Sequence, residues 1–172
     1  MKLYIFDFDG VLAIPYTNPE SYYKHIPTII PNLSKDNYLA VASFNLRAKI
    51  AVEEWGLLHY FKAIRYGSNS VWDNEYNDNY RKDMSKSKQI QNMLENELKD
   101  IVFDEIIFYD DDIKNILDVR NVSNVRNIGI TSVLVDELNG LTICMDRKER
   151  ILQLEKNIKM LEEEKKIQED SS

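Results

Sequence analysis

The sequence predicts a three-layer α/β protein in which about five parallel strands form a sheet between helices. Short apolar runs that fit buried strands alternate with segments whose apolar residues recur at helical spacing. Three of the apolar runs end directly in hydroxyl or carboxylate side chains. Because ligands of such folds bind at the carboxyl ends of the strands, we expect a functional site there.

Length and composition favour a single domain. The 172 residues are 44% hydrophobic and 30% charged, which suffices for one ordinary core. The formal net charge of -7 disfavours a general nucleic-acid or anionic-membrane surface. Cys144 is the single cysteine, and no apolar run approaches the roughly 20 residues of a membrane span. With Asp7 breaking the N-terminal apolar run too early for a signal peptide, we expect a reducing, cytoplasmic location.

The first predicted strand ends in two carboxylates. An apolar run from Leu3 to Phe6 leads into Asp7 and Asp9, and Gly10 follows. In an extended backbone both carboxylates would point the same way and would repel each other unless a cation lay between them. The pattern therefore predicts a metal bound at the end of this strand.

A second predicted strand also ends in polar residues. It is preceded by residues 13–37, which contain all four prolines and are expected to form an irregular connection with at most a short helix. Residues 38–42 form the strand, which ends at Ser43, Phe44 and Asn45. The second strand thus repeats the pattern of the first.

A helix, a short strand and a polar loop follow. Apolar residues recur at helical spacing over 45–55, with Asn45 as a candidate N-cap and Gly56 after the helix end. Residues 61–66 fit a third strand. Residues 68–84 are polar with interleaved aromatics and no clear period, which is typical of an exposed loop that could contact substrate.

Ser85 is predicted to begin a helix with two lysines in its first turn. Ile90 and Met93 belong to its apolar face, and Lys86 and Lys88 lie near its start. Cations at this end oppose the helix dipole. Their placement therefore indicates a nearby anion.

The fourth predicted strand carries the largest group of acids. Residues 105–109 lead directly into Asp110, Asp111 and Asp112. As at the end of the first strand, neighbouring carboxylates would repel each other unless a cation lay between them. Asp112 is placed to cap the helix that follows. Residues 131–135 supply a fifth strand.

The chain is expected to divide into residues 1–140, which form the α/β domain, and a charged helix or tail over 145–170. Two heptads fit an apolar seam in that helix, with Ile151, Leu154, Ile158 and Leu161. Two heptads are fewer than an independent coiled coil needs. The helix could pack on its own domain, project as a tail, or join a homodimer or another partner, so the chain could be a monomer or a homodimer.

The ordered motifs resemble those of the haloacid dehalogenase superfamily. A strand ending in Asp-x-Asp-Gly-Val, a strand ending in Ser43, a lysine at a helix start and a strand ending in Asp-Asp occur in that order. The resemblance covers roughly residues 1–140 and implies a Rossmann-like fold. No insertion is long enough for a separate cap domain, so the chain is similar to capless members such as magnesium-dependent phosphatase-1-like proteins.

The resemblance implies a phosphoryl-transfer site. Asp7 would be the nucleophile that forms an aspartyl-phosphate, and Asp9 would protonate the leaving oxygen and then deprotonate water. The presence of Asp9 favours phosphatases, because dehalogenases of this type lack the second acid. Ser43, with Phe44 and Asn45, would bind the phosphoryl group. Lys86, chosen because Ile90 and Met93 share its helix face, would neutralise its charge. The alternatives are Lys82 and Lys88.

The resemblance also implies a Mg²⁺ site. Asp110 and Asp111 would complete an oxygen site with the Asp7 carboxylate and the main-chain carbonyl of Asp9. Asp111 is the preferred direct ligand, because Asn115 occupies the second acidic position of the family's corresponding motif. The two histidines have no neighbouring ligand cluster in the sequence and are expected to be structural. They are His25 and His59.

The expected activity is Mg²⁺-dependent hydrolysis of a phosphoric monoester. An open site without a cap suits a macromolecular phosphate, either on a protein or at a nucleic-acid end. The net acidity disfavours nucleic acid unless the aromatics between Trp72 and Tyr80 stack bases. A polynucleotide end phosphatase therefore stays an alternative. The other alternative is a non-catalytic interaction protein that uses its C-terminal helix and keeps a structural Mg²⁺ site.

Overall fold

The computed structural model describes residues 1–67, 85–120, 122, 128–143 and 147–170. The predicted loop at 68–84 and Cys144 lie outside these residues. The strands are β1 Lys2–Phe6, β2 Ala13–Ile14, β3 Ser21–Tyr22, β4 Tyr38–Ser43, β5 Ala63–Tyr66, β6 Glu105–Asp110 and β7 Ile130–Leu134. The helices are α1 Ile26–Ser34, α2 Ala48–Glu54, a 3₁₀-helix Leu58–Tyr60, α3 Lys86–Glu95, α4 Ile113–Val119 and α5 Arg147–Asp170.

Five strands form one parallel sheet in the order β5-β4-β1-β6-β7. β1 is central, and its last residue, Phe6, pairs with both Val41 of β4 and Tyr109 of β6. The carboxyl ends of these three strands therefore lie side by side. The predicted α/β fold with a parallel sheet of about five strands is confirmed.

Helices cover both faces of the sheet. On one face, α3 and α4 bury their apolar residues against alternate residues of the strands, including Leu3, Ile5 and Phe108. The intervening residues Tyr4 and Phe6 stack with an aromatic residue of β6, and α1 contacts β4. Each central strand is buried on both faces, which explains its nearly continuous apolar sequence.

The proline-rich connection is more ordered than expected. It contains the short antiparallel pair β2–β3 and the nine-residue helix α1. Pro27 lies in the first turn of α1, where its missing N–H costs nothing, whereas Pro31 lies inside the helix. Burial of the apolar face outweighs the lost hydrogen bond. That face consists of Ile26, Ile29, Ile30 and Leu33.

Helix α2 begins later than expected. The N-cap position belongs to Arg47, and the prediction of Asn45 as N-cap is wrong. Asn45 Oδ1 instead accepts a hydrogen bond from the Arg47 amide at 2.9 Å, which closes a turn before the helix. The predicted caps of two other helices are confirmed. Ser85 caps α3 and Asp112 caps α4, each accepting a backbone N–H.

The chain separates into two compact units, Met1–Leu141 and Thr142–Ser172. The second unit contains α5, in which Ile158 and Leu161 of the predicted seam are exposed. The side chains of Ile151 and Leu154 lie outside the described part of the structure. Among the described residues, no helix has both the length and the hydropathy that a membrane span requires.

Candidate active site

The ends of three adjacent strands bring the predicted acidic and hydroxyl groups together. Asp7 follows β1 directly, Asp110 ends β6 and Ser43 ends β4. The amide of Asp7 donates to the carbonyl of Tyr109 at 2.9 Å, so the pairing of β1 with β6 continues to the candidate nucleophile. Strand register therefore sets the position of Asp7 beside Asp110.

Lys86 lies inside this group of acids. Its Nζ is 2.6 Å from Asp7 Oδ1, 2.6 Å from the Ala42 carbonyl and 3.2 Å from Asp110 Oδ2. Burial would lower the pKa of this lysine, but the two carboxylates outweigh burial and raise it. The buried side chain therefore stays positively charged, with its ammonium 5.0 Å from the centre of the Phe44 ring.

The other candidate lysines differ in position. Lys88 is exposed on the same helix, and Lys82 lies outside the described residues. Lys86 and Ile90 are four residues apart and both are fully buried. The helical spacing that favoured Lys86 thus corresponds to the buried face of α3.

Three carboxylates lie close enough to share one metal ion. Ligand oxygens of Asp7, Asp110 and Asp111 are all within 4.8 Å of one another. Burial and the neighbouring charge of Asp7 raise the pKa of Asp111 to about 8. Burial likewise raises the pKa of Asp110. Asp110 Oδ1 accepts the Asp112 amide at 2.8 Å, and the buried Oδ2 is ion-paired with Lys86 Nζ at 3.2 Å without forming a regular hydrogen bond among the described residues.

The lack of a side chain at Gly10 leaves space for the Asp111 carboxylate. Its φ of 80° lies in the left-handed region that favours glycine. A Cβ at this position would overlap the carboxylate of Asp111. Both the backbone conformation and the close approach therefore require glycine after the Asp-x-Asp pattern.

Asp9 points to a different set of neighbours. β1 ends at Phe6, and the carbonyl of Phe8 accepts the amides of Leu12 and Ala13 at 2.9 Å, so the chain turns immediately. The extended geometry that predicted repulsion between Asp7 and Asp9 is therefore wrong. The acidic neighbours of Asp7 come from the end of β6 instead.

Asn45 connects Asp9 to Ser43. Its Nδ2 donates to Asp9 Oδ2 at 3.1 Å, and its amide donates to Ser43 Oγ at 3.0 Å. Gln89 Nε2 donates to the Ser43 carbonyl at 2.8 Å, which ties α3 to the end of β4. Burial raises the pKa of Asp9.

A cavity of about 400 Å³ opens beside these groups, and we call it the acidic cavity. Asp9 and Asp111 line it, together with Tyr16, Glu20 and Glu137. Tyr16, Glu20 and Glu137 are not among the site residues that the sequence predicts. Glu137 follows β7, and nothing in its local sequence indicates that this segment lies beside the loop after β1, where the Leu141 amide bonds the Val11 carbonyl.

The two histidines lie away from the carboxylate group. His25 is the N-cap residue of α1, and His59 lies in the 3₁₀-helix with its ring 4.0 Å from that of Tyr60. Neither belongs to the group of possible metal ligands among the described residues.

Comparisons with known proteins identify the fold. No family model and no curated protein matches the chain. A solved haloacid dehalogenase-like hydrolase from Streptococcus pneumoniae is 12% identical, with 81% of this chain and 87% of that one covered and a TM-score of 0.54. A proposed phosphatase from Clostridium difficile is 16% identical, with 81% and 86% covered and a TM-score of 0.58. The chain has the haloacid dehalogenase-like fold, as its motifs predicted.

Proposed function

We propose that this protein is a phosphoric monoester hydrolase in which Asp7 is the nucleophile. The observation that carries the proposal is the buried contact between Lys86 Nζ and Asp7 Oδ1 at 2.6 Å, beside Asp110 and Asp111. A cation held against a carboxylate partly neutralises it and offers positive charge to the transferred phosphoryl group. The likeness in fold to a proposed phosphatase agrees with this chemistry.

The residues at the site fit Mg²⁺. Hard oxygen ligands from Asp7, Asp110 and Asp111 lie within 4.8 Å of one another, as an octahedral oxygen site requires. Asp110 Oδ2 is buried and lies 3.2 Å from Lys86 Nζ without forming a regular hydrogen bond among the described residues, so its lone pairs can bind a metal ion. The main-chain carbonyl of Asp9 is the fourth proposed ligand. When bound, Mg²⁺ would neutralise the acids and polarise the phosphoryl oxygens.

The protein's own residues would carry out two displacements. An oxygen of Asp7 attacks phosphorus, the bond to the alcohol oxygen breaks, and Asp9 transfers its proton to that oxygen. Water then attacks phosphorus and gives a proton to Asp9, and the bond to Asp7 breaks to release phosphate. Lys86 and the Phe8 amide both bond Asp7 Oδ1, so the carboxylate is held in one orientation throughout.

The phosphoryl group would bind at the end of β4. The hydroxyl of Ser43 accepts the Asn45 amide, so its proton can be donated to a phosphoryl oxygen. Asn45 also orients Asp9 through its side chain. The acid and the phosphoryl site are thus joined through one asparagine.

The test is hydrolysis of para-nitrophenyl phosphate with Mg²⁺, with EDTA, and by the Asp7→Asn variant. EDTA should abolish turnover reversibly, and the substitution should lower kcat by at least about a thousandfold. Asp36→Asn, which changes an exposed aspartate of the same domain, is the matched control. Inactivity of the natural protein on para-nitrophenyl phosphate, sugar phosphates, nucleotides, phosphopeptides and polynucleotide ends would refute the proposal.

A further inference from the structure

We propose that the acidic cavity binds the alcohol part of the substrate, and that this alcohol carries a positively charged nitrogen. The inference rests on the proposed phosphatase function, because it assigns the substrate class of the same site. Asp9, the proposed proton donor to the leaving oxygen, lines the cavity together with Asp111. The group bonded to that oxygen must therefore extend into the cavity.

The charge of the cavity selects against an anionic alcohol. Among the described residues that line it, every charged side chain is acidic. Glu20 is paired with Arg47, whose Nε lies 2.6 Å from Glu20 Oε1. Glu137 forms no ion pair with any of the described residues. A cationic group would gain attraction from Glu137, whereas a carboxylate or a second phosphate would be repelled.

Tyr16 supplies an aromatic surface to the same cavity. Its side chain is fully exposed, and its φ of 62° is rare for a residue with a side chain of this size. Such a conformation costs free energy and persists only where the surroundings impose it. Tyr16 thus lines the same cavity as Glu137, which has no ion pair among the described residues, and an aromatic ring together with a carboxylate can bind cationic nitrogen.

The wall that carries Tyr16 and Glu20 is held in place. Trp55 Nε1 donates to the Glu20 carbonyl at 3.0 Å, and its ring stacks on Phe8 with centres 5.3 Å apart. Arg47 bonds the Glu20 side chain from α2. The β2–β3 segment is therefore anchored to the two cap residues of α2, one of which packs on the loop after β1.

The segment that carries Glu137 is anchored as well. The Tyr23 hydroxyl donates to the Glu137 carbonyl. Gly140 has a φ of 64°, and a Cβ there would overlap the Tyr23 ring. The Leu141 amide donates to the Val11 carbonyl at 2.9 Å. The backbone of Glu137 is thus fixed beside the loop that follows β1, so the cavity is formed before a ligand binds.

The experiment compares phosphocholine with 3,3-dimethylbutyl phosphate, because these esters share one shape and differ in the charge of a single atom. Wild-type kcat/KM should be about tenfold higher for phosphocholine. Glu137→Gln should reduce this ratio to about threefold. Tyr16→Asn should reduce it similarly, since asparagine tolerates positive φ but lacks the ring. Glu53→Gln, which removes one exposed charge from α2, should leave the ratio unchanged.

A wild-type ratio near one would overturn the inference, and so would an equal ratio in Glu137→Gln. Failure of the proposed function is distinguishable, because neither ester nor para-nitrophenyl phosphate would then be hydrolysed. In that event the cavity is tested by NMR titration with choline and its neutral analogue 3,3-dimethylbutanol. Choline should shift the Tyr16 ring resonances and the analogue should not. Equal shifts, or none, would overturn the inference.

Discussion

Lys86 Nζ donates to Asp7 Oδ1 at 2.6 Å from a side chain that is 0% exposed. A lysine so enclosed is stable as a cation only because carboxylates surround it. The same contact neutralises the proposed nucleophile and fixes the first turn of α3 against the sheet. Stability and activity are therefore coupled at this residue.

Replacement of Lys86 by methionine should lower both the stability of the fold and the proposed activity. The variant leaves the Asp7 and Asp110 carboxylates buried without their cation, which should cost about 3–5 kcal/mol in the free energy of unfolding. Urea denaturation in EDTA measures this loss. Lys88→Met is the matched control, because this exposed lysine lies on the same helix, and its effect should stay within about 0.5 kcal/mol. Equal losses in both variants would contradict the assignment of Lys86.

Mg²⁺ should stabilise the folded protein. Binding to the three carboxylates should add about 2.7 kcal/mol at a hundredfold excess over Kd, and Tm should rise with Mg²⁺ concentration. Asp110→Asn should remove most of this rise. Asp112→Asn should keep it, because asparagine also caps a helix. The same rise in Asp110→Asn as in the natural protein would show that the ion binds elsewhere.

Gly10→Ala should disturb the carboxylates as well as the backbone. Alanine at positive φ costs about 1–2 kcal/mol, and its Cβ would also displace Asp111. Gly56→Ala separates these effects, because Gly56 has a φ of 75° but no atom within 4 Å of the point that a Cβ would occupy. Both variants should lose stability by denaturation. In calorimetry, only Gly10→Ala should lose Mg²⁺ affinity, and equal affinities would refute the close-approach argument.

The Arg65–Glu97 pair should contribute stability that depends on pH. Arg65 is buried, and its Nη1 and Nη2 each lie 2.6 Å from an oxygen of Glu97. Burial would raise the pKa of Glu97, but the bonds to Arg65 outweigh burial and lower it below 4.5. Because the pKa of Glu97 is lower in the folded state than in the unfolded state, the pair stabilises the fold at pH values above the unfolded-state pKa. That contribution is lost as pH falls through the folded-state pKa.

Glu97→Gln should therefore cost about 1–2 kcal/mol at pH 7, less than a fully buried pair because Glu97 is partly exposed. Urea denaturation should give a smaller difference from the natural protein near pH 3. Glu95→Gln, which changes an exposed residue at the end of α3 two positions before Glu97, should have little effect at either pH. A difference that is constant with pH would mean that the charge of Glu97 is not responsible.

Local patterns in the sequence account for the fold and for the inner part of the site. Asp7, Ser43 and Asp110 could be placed because each follows an apolar strand, and parallel strands end at one edge. The choice of Lys86 follows from its separation of four residues from Ile90. These inferences need only the strand and helix periods, which can be recognised within a short stretch of sequence.

The remaining features of the site depend on contacts between residues that are far apart in the sequence. Tyr23 and Glu137 are 114 residues apart, and their hydrogen bond exists only after the sheet has formed. The overlap that excludes a side chain at Gly10 likewise involves Asp111. β2 has two residues, too few for a recognisable period. Tertiary packing, rather than propensity, decides these features.

Lys86 also joins three separate parts of the chain, because it bonds Asp7, 79 residues away, and the Ala42 carbonyl, 44 residues away, while approaching Asp110. No early folding intermediate that lacks one of these strands can complete the contact, since loop closure over such separations accompanies formation of the sheet itself. The site should therefore assemble in the same cooperative step as the domain. Amide hydrogen exchange at Phe8, whose N–H is bonded to Asp7 Oδ1, should accordingly require global unfolding.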